Sequence, residues 1–172
     1  CETVVLRKVG PSDPFGQPNV SRMVIGGSVS ELGIPTLGIA ESIDVGNFDT
    51  TETAVVLLDL LSDPNVANPN SINSVPLGPG VTIIDAIGRV VGDIASHEAG
   101  HFFGNFHTDA LNATPEIMDQ GGFFLTNSLG VDGLFGTADD ADVDFGVDSY
   151  SSFEGLFTGS GATRDTVAFG LS

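Results

Sequence analysis

The run His97-Glu98-Ala99-Gly100-His101-Phe102-Phe103-Gly104-Asn105-Phe106-His107 constrains this chain more than any other stretch. His97 and His101 stand at i and i+4, so on a helix their imidazoles stack one turn apart on a single face. Two rings so placed can grip one metal ion from one side. Glu98 follows His97 directly, where it can reach a water on that metal without being a ligand. Gly104 suits the left-handed residue that ends a helix and turns the chain, which lets His107 return as a third ligand. Three protein ligands leave one position open, and an open position separates a catalytic zinc site from a structural one. All three histidines of the chain fall inside this run.

The short pattern H-E-x-x-H recurs by chance in unrelated chains. The extended pattern H-E-x-x-H-x-x-G-x-x-H is far rarer, and it goes with a methionine-containing turn downstream. Here Pro115-Glu116-Ile117-Met118-Asp119-Gln120-Gly121-Gly122 supplies such a turn, with one of only two methionines in the chain. On these residues the sequence resembles the metzincin clan of zinc endopeptidases. The resemblance implies that His97, His101 and His107 are zinc ligands and Glu98 the general base and acid. It makes Met118 the hydrophobic floor beneath the metal. Thr108, directly after the third histidine, is similar to the Ser or Thr of the matrixin branch. Astacins and serralysins carry a tyrosine shortly after the methionine, whereas this chain has Phe123 and Phe124 there and its only tyrosine at Tyr150.

What the resemblance implies for the whole chain is a zinc-dependent endopeptidase, hydrolysing peptide bonds in a protein or peptide substrate. Its fold class would be α+β and zincin-like. A twisted, mostly parallel sheet with a backing helix and an active-site helix would precede a small irregular C-terminal lobe. That predicts one catalytic domain over 1–172, with an upper lobe at 1–104 and a lower lobe at 105–172. The other reading is a secreted or surface assembly protein that retains a zinc- and calcium-binding core of this kind.

Composition narrows the partners. With 23 acidic residues against five basic ones the formal net charge is −18, so a nucleic-acid partner, which needs clustered Lys and Arg, is excluded. No apolar run reaches the length of a membrane span. An acidic, lysine-poor chain suits a secreted, extracellular protein, a saline setting or abundant calcium. Cys1, the single cysteine, has no partner within the chain for a disulfide.

Residues 20–30 carry the β-branched content of a strand, with Gly26-Gly27 as a bend. Residues 36–43 read as a second strand after the turn Gly33-Ile34-Pro35, so the two could form a hairpin. By the resemblance, 36–43 is also the candidate for the cleft-edge strand that binds extended substrate. Asp49 and Glu52 look like a cap before a helix over 54–61, and 63–80 reads as a surface loop. A long helix is predicted from about Thr82 through His101, burying Ile83, Ile84, Ile87, Val90, Val91 and Ile94. Gly88, Gly92 and Gly100 within it suggest close packing or simple tolerance. Residues 132–144 offer hard oxygen ligands of the kind calcium prefers. Asp132, Asp139, Asp140 and Asp142 are the candidates, and a solvated acidic loop is the alternative. The stretch Ser152 to Ala168 could supply a closing helix or strand, with Phe153, Phe157 and Phe169 packing.

Overall fold

The computed structural model describes residues 17–121, 129–155 and 158–172; Cys1, Phe123, Phe124 and Phe157 lie outside them. Strand β1 (Arg22–Ile25), followed by the single helical turn α1 (Val29–Leu32), pairs parallel with β3 (Thr53–Val56), and β2 (Gly38–Ala40) pairs antiparallel with the other side of β3. Among the described residues β2 thus forms an edge of a three-stranded sheet. A mostly parallel sheet was expected; among the described strands, this sheet has one pairing of each kind. Nor do β1 and β2 form the expected hairpin, because β3 inserts between them.

The segment 54–61 corrects another expectation. It is a strand followed by the single turn α2 (Leu58–Leu61), not a helix. Along β3 burial alternates: Ala54 and Val56 are fully buried, Thr53 and Val55 only partly. That period of two, with β-branched Val55 and Val56, favours a central strand. The supposed capping pair is spent elsewhere. Asp49 accepts the Thr51 N–H at 2.9 Å and its hydroxyl at 2.8 Å, while Glu52 accepts the Ser42 hydroxyl at 2.5 Å.

Helix α3 (Ile83–Phe102) lies across the sheet and is the only long helix among the described residues. Thr82 and Asp85 form a reciprocal capping box at its start, which satisfies backbone donors that the first turn leaves open. Ala86, Val90 and Ile94 are its buried stripe, joined in one core by Val56, Leu61, Ile72, Val75 and Phe135. Ile83, Ile87 and Val91 pack at the margin, whereas Ile84, expected inside, is 77% exposed. Ile72, within the loop expected at 63–80, is fully buried on the short turn Ile72–Ser74.

The glycines of α3 divide. Gly88 and Gly92 face open space, but a Cβ at Gly100 would strike the Met118 sulfur and the Phe145 ring. Only Gly100 reflects close packing. Beyond His107 the chain builds more regular structure than its sequence suggests. β4 (Val147–Ser149) and β5 (Ser160–Ala162) pair antiparallel, followed by α3's small counterpart α4 (Thr163–Gly170). Phe153 and Phe169 are 79% and 67% exposed and do not pack as expected. The chain is therefore mixed α+β, with four helices and two small sheets among the described residues.

Candidate metal centre

Helix α3 carries His97, Glu98 and His101 into the interior, each about 5% exposed. The helix stops at Phe103, and Gly104 takes φ +94° while its N–H returns to the His101 carbonyl at 2.9 Å. A side chain at Gly104 would collide with the Val45 backbone. Glycine at this turn therefore answers both to its left-handed conformation and to a neighbour pressed against it. The reversed chain brings His107 back to the two helical histidines. Ring centroids are 4.9 Å apart for His97 and His101, 5.2 Å for His97 and His107, and 4.7 Å for His101 and His107. One ring nitrogen from each lies within 4.8 Å of the others, and the three are positioned to bind a metal ion.

Hydrogen bonding at Nδ1 orients all three rings. His97 Nδ1 meets the Ile117 carbonyl and His101 Nδ1 the Asn105 carbonyl, both at 2.7 Å. His107 Nδ1 meets Glu154 Oε1 at 2.5 Å. The two carbonyls have no proton to give, so Nδ1 of His97 and of His101 must donate, which puts the lone pair of each on Nε2. That is the arrangement in which an outer partner orients a metal-binding imidazole. Burial, then the neighbouring His101 and His107, push the His97 pKa down to about 3. Burial and His107 push His101 down to about 4. Both rings are therefore neutral near pH 7, the form that binds metal.

Glu98 responds to burial in the opposite sense. Its pKa rises to about 8 in the metal-free protein, with a bond from the Ala40 N–H partly opposing the shift. Its carboxyl lies directly under β2. A Cβ at Gly38 would land on the Glu98 carboxylate and the Ile94 methyl group, so the absent side chain of Gly38 is what lets the edge strand cross so closely.

Met118 is fully buried beneath this group, against Gly100. Its carbonyl accepts the Thr108 N–H at 2.9 Å, and the Gln120 N–H returns to the Thr108 carbonyl at 3.2 Å. Glu116, 2% exposed, holds the turn together. One carboxylate oxygen accepts the Met118 N–H at 2.5 Å and the Thr108 hydroxyl at 3.1 Å. The other accepts the Gly146 N–H at 2.9 Å and the Thr163 hydroxyl at the start of α4. Burial likewise lifts the nearby Asp119 to about 6.

A cleft of about 550 Å³ opens over the three histidines and Glu98. Ile34, Leu37, Gly38, Ile39 and Ala40 line it from the β2 side, and Gln120 and Gly121 from the segment after Met118. The structure thus brings together every residue of the histidine motif, with Met118 behind them and Gly104 at the turn. Of the acidic residues of 132–144, Asp132, Asp139 and Asp140 surround the Thr137 hydroxyl, but their carboxylate oxygens do not converge as the histidine nitrogens do. Asp139 accepts the Asp132 N–H, Asp132 the Leu134 N–H, and Asp140 the Gly136 N–H. Asp140 also pairs with Arg89 at 3.2 Å, and Asp142 stands close enough to Asp93 to help raise its pKa. Among the described residues, the histidines are the only such group whose ligand atoms converge.

Sequence reasoning missed Glu154, Glu116 and Gly38. Glu154 lies far along the chain from His107 with no spacing that links them; Glu116 had a weak cue in its place two residues before Met118. Compared with known proteins, the chain matches no protein-family model, no curated protein and no solved structure.

Proposed function

We propose that this chain is a zinc-dependent endopeptidase of metzincin-like, matrixin-like design. The observation that carries the reading is one cleft holding three convergent imidazoles, each oriented by a hydrogen bond at Nδ1, with a buried carboxyl beside them and a strand edge above. Three imidazoles with an open side suit zinc, although other transition metals accept the same donors. Zinc held there would supply Lewis acidity towards a substrate carbonyl and the attacking water. His97, His101 and His107 would hold it through Nε2. Glu98 takes a proton from the attacking water on a carboxylate oxygen and returns it to the leaving amine nitrogen. For that the carboxyl must be ionised, and a dication beside it draws its pKa down from the metal-free value.

Among the described residues no strand covers the outer edge of β2, which supports a peptide substrate. Leu37 and Glu41 bond back to β3, so Gly38 and Ala40 turn their main-chain groups outward. An extended peptide can add to such an edge by backbone hydrogen bonds. The apolar wall from Ile34 to Ile39 suits apolar substrate side chains. The acidic, lysine-poor composition supports a secreted, extracellular setting.

Elemental analysis should find about one zinc per chain, and casein or gelatin cleavage should stop with a chelator. Glu98→Gln should keep the zinc and lose turnover. Cleavage retained in that variant removes Glu98 from its role; zinc without any cleavage favours the assembly-protein reading.

A further inference from the structure

We propose that Glu154 is the positioning residue that makes His107 a competent third ligand, through a bracket formed by the turn Ser152–Glu154. The inference rests on the metal reading of the triad and not on peptide hydrolysis.

The three ligands are held in different ways. His97 and His101 belong to α3, and their Nδ1 partners are main-chain carbonyls. His107 lies past Gly104, outside the helix, and its side chain is 26% exposed. A ligand on such a segment has more conformations to lose, and fixing it takes contacts from elsewhere. The turn supplies them at three points. The Ser151 N–H donates to the His107 carbonyl at 3.0 Å, and the His107 N–H donates to Glu154 Oε1 at 3.1 Å. The same Oε1 accepts the His107 ring N–H at 2.5 Å. One oxygen thus ties the imidazole to its own backbone, which sets the ring angle and the tautomer together.

The bracket is itself braced. The Glu154 N–H returns to the Ser151 carbonyl at 3.1 Å, and the Ser151 hydroxyl accepts the Phe153 N–H at 3.3 Å. That hydroxyl donates to Gln120 Oε1 at 2.7 Å, joining the turn to the segment after Met118. Gly155, at φ +60°, closes it. A carboxylate partner also does what a carbonyl cannot. It brings a formal charge, which makes the imidazole a stronger donor and offsets part of the charge of a bound dication.

The test uses the full chain and zinc itself. Zinc affinity is measured by competition with a chromophoric chelator for wild type, Glu154→Ala and Glu154→Gln, and cobalt(II)-loaded spectra report ligand geometry. Glu154→Ala should bind zinc about 10- to 100-fold more weakly. Glu154→Gln keeps an acceptor oxygen and should fall between the two. The downfield ring N–H resonance of His107 should vanish in the alanine variant. Affinity within twofold of wild type in a folded Glu154→Ala, with an unchanged cobalt spectrum, overturns the proposal. If that variant does not fold, Glu154→Gln decides, and wild-type affinity in it overturns the proposal. Failure to bind zinc in the wild type overturns it together with the functional reading. Tight wild-type binding without cleavage fails the peptidase reading alone and leaves this inference to the variants.

Discussion

Replacing Glu116 with glutamine changes one atom and should cost this protein a large part of its stability. The carboxylate faces four donors and offers none, although the Thr108 hydroxyl divides its one proton between Glu116 and Asp119, at 2.9 Å from the latter. An amide has one acceptor oxygen and one donor nitrogen, so two of those donors must face an N–H. The less costly arrangement leaves the oxygen on Met118 and Thr108 and turns the nitrogen towards Gly146 and Thr163. Thr163 can redirect its hydroxyl to the Gly146 carbonyl, 3.3 Å away. The Gly146 N–H would then face the amide nitrogen and keep only the Thr163 oxygen, at 2.9 Å. A buried bond to a charged group contributes about 1.5–3 kcal/mol and a neutral one about 0.5–1.5 kcal/mol. Losing one of the former and weakening another gives a loss of about 2–4 kcal/mol. Urea unfolding of the metal-free protein, followed by far-ultraviolet circular dichroism, measures it directly. Zinc affinity should fall as well, since Ile117, between Glu116 and Met118, holds His97. A loss below about 1 kcal/mol would refute the four-donor account.

Two further outcomes follow from Glu98 and its roof. In the metal-free protein burial raises its pKa from an ordinary 4.5 to about 8. Between those values the folded chain keeps a proton that the unfolded chain releases, so the contribution of Glu98 is lost as pH rises. The stability advantage of Glu98→Gln over wild type should grow across this window, by at most about 1.4 kcal/mol per pH unit. A flat difference there would mean that Glu98 is not desolvated. Gly38→Ala should leave zinc affinity intact but displace the carboxyl, lowering kcat about 100-fold, as a misplacement of about 1 Å can. Full turnover in that variant would show that β2 does not press on Glu98.

The sequence and the structure agree where the signal is local. The helix from Thr82, its end at Gly104 and the convergence of the three histidines all follow from spacings of three or four residues and a glycine. Where apolar residues run together, the sequence is ambiguous. Residues 54–61 fit either a buried helix or a buried strand, and pairing on both sides, which no local pattern records, decided for the strand. Ile84 fits the helical period yet faces water, because the sheet covers a narrower face than the pattern allows. The outer supports of the site were the least legible. Glu154 meets His107, and Thr163 meets Glu116, only because β4, β5 and α4 fold back under the histidine turn.

A strand edge open to a peptide is open to any chain, including another copy of this one, and exposed edges invite aggregation. β2 limits that hazard by brevity, spanning only three residues. Two of its outward groups are also occupied from within. The Gly38 carbonyl accepts the Thr36 hydroxyl at 2.6 Å, and the Ala40 N–H is held by Glu98. So short and partly covered an edge offers an intruding strand few bonds. It offers a visiting peptide equally few, so whatever stays in the cleft must be retained chiefly by its side chains.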